Sequence, residues 1–299
     1  MDPLHDELLT RLSSSWQGLP DKPEENPENT LRALWLFAAG EPRAVQYTEK
    51  LDLPHLDEQG ANHLRQLVDQ RIAGVPLAHL TGRQSFMGIE MLAGPRAMIP
   101  RKETEIVGRA ALAVLRRVIH EHGFARVLDL CTGSGNLALA LASYEKRCQV
   151  IGADLSDEAL DLAKHNAEYL GLADRVEFWK SDLYESFESD EFWNKFDVVV
   201  CNPPYISSAQ VSKLPGEISG FEPRLAFDGG AFGVSVLMRL IRQSPRFLKP
   251  NSWLCFEIGL GQHEGLERVL ERTACYSDIQ THTDEQGAVR ALVARTCSH

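Results

Sequence analysis

The tetrapeptide Asn202-Pro203-Pro204-Tyr205 directly follows a mainly apolar run, Asp197 to Cys201, that is typical of a buried strand. Two consecutive prolines remove two backbone N–H donors and fix φ, so nearby carbonyl groups are rigid and free to accept hydrogen bonds. The Asn202 side-chain oxygen and the Pro203 carbonyl can therefore hold both hydrogens of a planar NH₂ group, while Tyr205 stacks on its plane. We predict that all four residues bind substrate and that Asn202, Pro203 and Tyr205 are catalytic. A rigid loop that only closes a sheet is the alternative.

A second group of residues has the spacing of a nucleotide-binding site. One predicted strand ends at Asp129, and Gly133 and Gly135 follow it, where the missing Cβ lets the backbone turn tightly and approach a ligand. Nineteen residues past Gly135 the next strand ends at Asp154, whose carboxylate can accept hydrogen bonds from ribose hydroxyls. Asp182 follows a third strand and can accept from an adenine amino group. The pattern fits NAD enzymes and S-adenosylmethionine (SAM) enzymes equally, and a tight turn without a ligand stays open.

Transfer of a methyl group to an amide nitrogen is chemistry that this asparagine-proline loop suits. An amide nitrogen is a poor nucleophile because its lone pair is delocalised. Two rigid acceptors on its N–H bonds favour attack, since they strengthen as positive charge develops on the nitrogen. Alignment of the nitrogen with the methyl group adds a proximity effect. No general base needs to act before the attack, and no histidine is required in this loop.

The elements that must position these residues alternate between strand and helix from about residue 104 onward. Such alternation predicts a mainly parallel sheet with helices on both faces, and ligands of such sheets lie at the carboxyl ends of the strands. The predicted strands are 127–130, 149–154, 175–179, 196–200 and 253–258. The predicted helices run from the glycine loop to Ala142, from Ser156 to Gly171, over about 232–246 and over about 263–273.

The first 75 or so residues are predicted to be helical and carry no chemical motif. Asn26 and Asp57 have the residue types of helix N-caps, and Gly74 is typical of a helix end. Between this part and the alternating part, residues 83–100 are predicted to form a short hairpin or an extended linker, with a possible turn at Gly94-Pro95.

Composition bounds the class of protein. The 299 residues are 43% hydrophobic and 24% charged, as in ordinary globular proteins, and no run approaches the roughly 18 apolar residues of a membrane span. The acidic N-terminus differs from a basic secretory signal, so we expect a cytoplasmic protein. A formal net charge of −11 disfavours nucleic acid as a partner. The six cysteines include no Cys-x-x-Cys pair, so neither a metal site nor a disulfide framework is predicted.

The motifs together resemble the protein glutamine N-methyltransferases, the family that modifies the Gly-Gly-Gln loop of peptide-chain release factors. The resemblance extends over nearly the whole chain. It rests on Asn202 to Tyr205, on the glycine loop with Asp154, and on five further segments: Arg71 to Pro76, Leu80 to Gly88, Ile99 to Glu105, Phe221 to Gly233, and Glu257 to Gln262.

The resemblance implies an α/β fold of the class I SAM-dependent methyltransferase type, a Rossmann-like seven-stranded sheet whose last strand is antiparallel. It implies a small N-terminal helical domain (1–82) that docks the substrate, a hairpin linker (83–100) and a SAM-dependent methyltransferase domain (101–299). SAM would be the cofactor and S-adenosyl-L-homocysteine the product. The implied cofactor-binding residues are Asp129, Thr132, Gly133, Ser134, Gly135, Asp154, Leu155, Asp182, Leu183 and Asn202. The implied substrate-binding residues are Asn202, Pro203, Pro204, Tyr205 and Glu222.

The implied partner is a release factor, with no direct contact to nucleic acid or membrane, and we expect a monomer. Four departures from the family pattern, at His79, Lys102, Cys131 and Asn136, leave other substrates open. These are a small amide or amine of a biosynthetic pathway and a ribosomal-protein glutamine. A nucleic-acid amino-methyltransferase is a weaker alternative, because an exocyclic base amine is also a planar NH₂ group. A SAM-binding scaffold without activity is the non-enzymatic alternative.

Overall fold

A computed structural model of the chain describes residues 3–16, 18 and 22–298. The predicted domains also include residues 1, 2, 17, 19–21 and 299, which lie outside the described residues. Met1 and Asp2 belong to the acidic N-terminus. The N-terminal part consists of four helices: α1 (Pro3–Ser14), α2 (Pro27–Ala38), α3 (Glu58–Ile72) and α4 (Leu77–Thr81).

The helices α2 and α3 begin where the sequence predicts. The Asn26 side chain accepts a hydrogen bond from the Asn29 N–H at 2.9 Å, and the Asp57 side chain accepts one from the Gly60 N–H at 2.7 Å. Such caps satisfy backbone donors that have no partner within the helix. The apolar faces of these helices form one common core, which includes Leu8, Leu34, Trp35, Leu64 and Leu80.

A hairpin follows the four helices, as one of the two predicted alternatives for this segment. The strands β1 (Arg83–Phe86) and β2 (Ile89–Leu92) pair antiparallel. The turn between the two strands lies at Met87-Gly88, where both residues have positive φ. Two-residue hairpin loops favour positive φ because this matches the twist of the strands. A separate turn at Pro95-Arg96 follows the hairpin, next to the possible turn at Gly94-Pro95.

The remaining elements form a seven-stranded sheet covered by helices. In chain order they are α5 (Thr104–His122), β3 (Ala125–Leu130), α6 (Asn136–Tyr144), β4 (Cys148–Asp154), α7 (Asp157–Tyr169), β5 (Val176–Lys180), β6 (Phe196–Cys201), α8 (Ser208–Val211), α9 (Gly216–Ser219), α10 (Ser235–Phe247), β7 (Leu248–Glu257), α11 (His263–Thr273), β8 (Tyr276–Thr283) and β9 (Val289–Thr296). The strand order is β5-β4-β3-β6-β7-β9-β8, and β9 is antiparallel to both of its neighbours. The α/β fold with seven strands and an antiparallel last strand is therefore confirmed.

Helices cover both faces of this sheet, as the strand–helix alternation predicts. One core packs α5 and α6 against the sheet through residues such as Leu115 and Leu141. The other packs α10 and α11 against the opposite face through Leu240 and Leu270. In the part of the chain that is described, no helix has both the length and the apolar character to cross a membrane.

The sheet topology brings the predicted site residues to one edge. The chain proceeds outward from β3 to β4 and β5, then returns to place β6 on the other side of β3. The strand order therefore reverses between β3 and β6, and ligands of open parallel sheets lie at the carboxyl ends beside such a point. Asp129, Asp154 and Asn202 all lie at the carboxyl ends of these neighbouring strands.

Candidate active site

Asp129 organises the loop after β3 from within the protein. Its side chain is completely buried, and one carboxylate oxygen accepts hydrogen bonds from the Thr132 hydroxyl at 2.5 Å and from the Ala138 N–H at 3.0 Å. Burial raises the pKa of Asp129 to about 7, although both hydrogen bonds oppose the rise. Asp129 thus ties the start of the loop to the first turn of α6.

The two glycines of this loop have different reasons to be glycine. Gly135 has a φ of +82°, and a Cβ there would lie 3.0 Å from atoms of both Leu139 and Phe178. Gly133 has a φ of +56°, but a Cβ would meet no atom within 4 Å, and its N–H donates to Asp154 at 2.8 Å. Gly135 is therefore required by packing, whereas Gly133 exposes backbone to an open space.

Asp154 lies at the end of β4 beside that open space. One carboxylate oxygen accepts from Gly133 and the other from the Ser156 N–H at 2.9 Å. Burial raises the pKa of Asp154, against the effect of these backbone hydrogen bonds. Each oxygen of an ionised carboxylate has a second acceptor position, so Asp154 retains capacity for two hydroxyl donors of a ligand.

A cavity of about 270 Å³ collects most of the predicted cofactor-binding residues. The predicted residues that line it are Thr132, Gly133, Asp154, Leu155, Asp182, Leu183, Asn202 and Pro204. Its lining does not include Asp129, Ser134 or Gly135. Asp129 and Ser134 are buried, and the contact of these three residues with a cofactor stays a prediction.

Asp182 has a partner, Arg239, that was not predicted from the sequence. Both of its carboxylate oxygens accept hydrogen bonds from the Arg239 guanidinium group, at 3.0 and 3.1 Å. Arg239 comes from α10 and also lines the cavity. Asp182 follows β5 as predicted, but its carboxylate is already engaged. No short motif connects these two positions in the sequence, so only the fold could bring them together.

A second cavity, of about 250 Å³, contains the other predicted catalytic residues. Pro203 and Tyr205 line this cavity, and Asn202 lines both. Met98 and Ala226 are also shared between the two linings. The asparagine-proline loop therefore lies between two adjoining spaces, one beside the glycine loop and one beside Tyr205.

The Asn202 side chain is held in one orientation. Its Nδ2 donates to the Thr104 hydroxyl at 3.0 Å, which leaves its Oδ1 as the acceptor. Thr104 is completely buried at the start of α5. This contact was not predicted, although Thr104 belongs to the segment Ile99 to Glu105 that resembles the family.

Tyr205 is bound to a buried carboxyl group at the end of β7. The Tyr205 hydroxyl donates to Glu257 Oε1 at 2.8 Å, and Glu257 also lines the second cavity. Burial raises the pKa of Glu257 to about 7 and holds the pKa of Tyr205 well above its ordinary value. A charged residue at the end of an otherwise apolar strand could have identified Glu257 from the sequence, as it did for Asp129 and Asp154.

Glu222 is bound to residues of the segment Ile99 to Glu105. Its buried carboxylate accepts from the Ile99 N–H at 2.8 Å and from the Arg101 guanidinium group. It does not line either cavity. Glu222 therefore joins two segments near the second cavity, and its contact with substrate stays a prediction.

Comparison with known proteins identifies the kind of domain and the family. Residues 121–260 match the family model described as a methyltransferase domain. The fold is similar to that of solved structures at low sequence identity. One of them is human methyltransferase 10 domain containing protein (TM-score 0.51, 16% identity, 69% of this chain and 88% of that one). A second is the N-terminal domain of human METTL16 in complex with SAH (TM-score 0.50, 16% identity, 69% of this chain and 75% of that one).

Relatives at higher identity cover most of the chain. The release factor glutamine methyltransferase of Geobacter sulfurreducens is 35% identical over 275 residues, 91% of this chain and 92% of that protein. That of Moorella thermoacetica is 35% identical and covers 87% of each chain, and that of Rhodopirellula baltica is 34% identical over 91% of this chain and 90% of its own. Sequence identity of about a third over most of both chains shows common ancestry and not only a shared fold. The chain therefore belongs to the release factor glutamine methyltransferase family.

Proposed function

We propose that this enzyme transfers a methyl group from SAM to the side-chain amide nitrogen of a glutamine in a peptide-chain release factor. One observation carries the proposal: Asn202, with its Oδ1 left free to accept, lines two adjoining cavities at once. A group that holds the amide must lie where the space of the methyl donor meets the space of the methyl acceptor, beside the line along which the methyl group moves. The names of the relatives supply the identity of the acceptor.

The first cavity fits SAM by the chemistry of its lining. The Asp154 carboxylate can accept from ribose hydroxyls, and the open space at Gly133 admits a ligand against the backbone. Leu155 and Leu183 offer apolar surface to an adenine ring. Bound there, SAM would supply an electrophilic methyl group, which the amide nitrogen accepts with loss of one proton to solvent. Because Arg239 already engages Asp182, we propose that the pair contacts the adenine edge together.

The second cavity fits the side chain of a glutamine. Asn202 Oδ1 and the Pro203 carbonyl accept from the two amide hydrogens, and the Tyr205 ring lies beside the amide plane. Both acceptors are fixed before the substrate arrives, one by Thr104 and the other by the proline ring. Preorganised acceptors are strengthened as positive charge develops on the nitrogen, and so lower the barrier.

The N-terminal helices (1–82) are proposed to dock the protein substrate, with residues 83–100 as the linker to the methyltransferase domain (101–299). Contacts from this part reach the wall of the second cavity. Lys22 and Arg71 both donate to Glu217 of α9, and the next residue, Ile218, lines the cavity. We propose a monomer because one chain forms both cavities, and a cytoplasmic enzyme because release factors act there. The net charge of −11 supports a protein substrate over a nucleic acid.

The direct test measures methyl transfer from labelled SAM to a purified release factor. Labelling is expected with the natural factor and is expected to be absent when the glutamine of its Gly-Gly-Gln loop is replaced by alanine. Labelling that survives this replacement would overturn the proposed acceptor. No labelling of either factor, together with normal SAM binding, would reject release factors and favour a ribosomal protein or a small amide, which serve as the next substrates in the same assay.

A further inference from the structure

Tyr205 is held at both of its ends by the segment that connects β7 to α11. At the side-chain end, its hydroxyl donates to Glu257 Oε1 at 2.8 Å. At the backbone end, its carbonyl accepts from Gln262 Nε2 at 3.1 Å. Glu257 is the last residue of β7, and Gln262 immediately precedes α11. The two ends of a six-residue segment, Glu257 to Gln262, therefore fix the ring and the backbone of one residue in the asparagine-proline loop.

Gln262 also fixes the loop on the far side of Tyr205. The same Nε2 donates to the Gly233 carbonyl at 3.2 Å, while its Oε1 accepts from the Gly259 N–H at 2.8 Å. A side-chain amide with its oxygen and its nitrogen both engaged has one orientation only. Three backbone segments, at Tyr205, Gly233 and Gly259, are thus joined through one side chain.

Close packing leaves little freedom for Tyr205. A Cβ at Gly259 would lie 3.1 Å from Cδ2 of the Tyr205 ring, and a Cβ at Gly233 would lie 2.3 Å from the Tyr205 carbonyl oxygen. Glycine is therefore required at Gly233, where φ is +70°, and a side chain at Gly259 would press on the Tyr205 ring. The ring is confined by backbone on one side and by its hydroxyl contact on the other.

Thr104 lies near the Glu257 carboxyl group and opposes the rise in its pKa. The Thr104 hydroxyl accepts from Asn202 Nδ2, so Asn202 has a partner of its own. The direct hydrogen-bonding partner of Glu257 at the cavity is the Tyr205 hydroxyl.

We infer that Glu257 and Gln262 are positioning residues that set the place of Tyr205 in the asparagine-proline loop. This inference rests on the proposed function for its catalytic consequence. Its structural content, the fixed state of Tyr205, is measurable without any substrate. Neither residue needs to touch the reacting atoms for this role.

The experiment compares Glu257→Leu, which removes the acceptor, with Glu257→Gln, which retains one, alongside Tyr205→Phe and the double variant Tyr205→Phe/Glu257→Leu. With release factor as substrate, kcat/KM is expected to fall about ten- to a hundredfold in Glu257→Leu and only severalfold in Glu257→Gln. The double variant is expected to be no worse than the more damaged single variant, because both remove one contact. The SAM dissociation constant serves as the check of folding and is expected to change less than threefold.

A structural role for Glu257 that bypasses Tyr205 predicts losses that multiply in the double variant, and that result would overturn the inference. A second measurement needs no turnover: the ¹³Cζ resonance of Tyr205 in the SAM complex, assigned by its loss in Tyr205→Phe. It is expected to shift in Glu257→Leu, and to broaden or split in Gln262→Leu. An unchanged resonance in both variants also overturns the inference. If release factor is not methylated at all, the proposed function fails, while the resonance still decides the positioning role.

Discussion

Asn202 carries the greatest share of the proposed chemistry of any single residue. Replacement by alanine removes the acceptor that lies between the two cavities but leaves the contacts of Asp154 unchanged. Asn202→Ala is expected to lower kcat by at least about a hundredfold, as for other preorganised groups that stabilise a transition state. The SAM dissociation constant, from calorimetry, is expected to stay within about threefold. Near-normal turnover would contradict the amide-holding role.

For Asp154 the expected effects of replacement on kcat and on the SAM dissociation constant are the reverse of those for Asn202. Its carboxylate borders the open space at Gly133, so its loss is expected to weaken SAM binding more than the chemical step. A lost hydrogen bond to a charged group costs about 1.5–3 kcal/mol, which corresponds to roughly ten- to a hundredfold in the dissociation constant. Asp154→Ala compared with Asn202→Ala in the same titration separates the two functions. An unchanged dissociation constant in Asp154→Ala would exclude the ribose contact.

The raised pKa of Glu257 gives a dependence of stability on pH. Its pKa is about 7 in the folded protein and 4.5 ordinarily, so the folded state retains a proton that the unfolded state loses between these values. Stability from this group is therefore complete below pH 4.5 and is lost as the pH rises through 7. The total is about 3 kcal/mol at about 1.4 kcal/mol per pKa unit.

Glu257→Gln cannot ionise and is expected to lose none of this stability. The unfolding free energy of the variant minus that of the wild type should therefore increase with pH over this window and level off above it. Urea unfolding at a series of pH values measures the difference. A difference that is flat or that decreases with pH would show that the folded pKa is not raised.

At the scale of elements, the turn from β3 into α6 depends on two glycines with separable demands. Gly135→Ala faces positive φ and a Cβ 3.0 Å from Leu139 and Phe178, whereas Gly133→Ala faces positive φ alone. Backbone strain costs about 1 kcal/mol and overpacking adds about 1–3 kcal/mol. Gly135→Ala is therefore expected to destabilise the protein more than Gly133→Ala in urea unfolding. Equal losses would show that packing at Gly135 relaxes freely.

Much of the element order could be predicted from the sequence, because apolar periodicity and caps are local signals. Asn26, Asp57 and Ser156 each cap the helix that they were predicted to begin. The position of the hairpin turn was not predicted, because the alternation over residues 86–91 is weak and the turn at Met87-Gly88 lies within it.

The partners within the site could not be predicted, because they join distant parts of the chain. Arg239 and Asp182 are 57 residues apart in sequence, and Asn202 and Thr104 are 98 apart. Their contacts depend on which strands and helices become neighbours. The types of the site residues and the strand ends on which they lie were predicted, whereas the hydrogen bonds that orient them required the three-dimensional structure.

At the scale of the whole molecule, a buried group of charges joins the N-terminal helices to α9. Lys22, Glu25, Arg71 and Glu217 are all at least nine-tenths buried, and Glu217 accepts from Lys22 at 2.9 Å and from Arg71 at 3.0 Å. Glu217→Gln leaves two buried cations with one anion, and breaking a buried pair costs about 3–5 kcal/mol. Urea unfolding is expected to show this loss.

The exposed pair of Arg11 and Asp69 provides a matched control for that measurement. Asp69→Asn is expected to cost less than about 1 kcal/mol, as for other surface pairs. A loss in Glu217→Gln as small as in Asp69→Asn would show that the buried charges are not coupled across the two parts of the chain.

The two cavities that adjoin at Asn202 also have a consequence for the order of events in turnover. In the proposed function each ligand binds in a cavity of its own, so neither has to leave before the other can exchange. Steady-state kinetics should then follow a random sequential scheme, in which either substrate can bind first. In product-inhibition experiments, the methylated protein should compete with the unmethylated protein, and S-adenosyl-L-homocysteine should compete with SAM. Under that scheme S-adenosyl-L-homocysteine exchanges for fresh SAM while the protein is still bound.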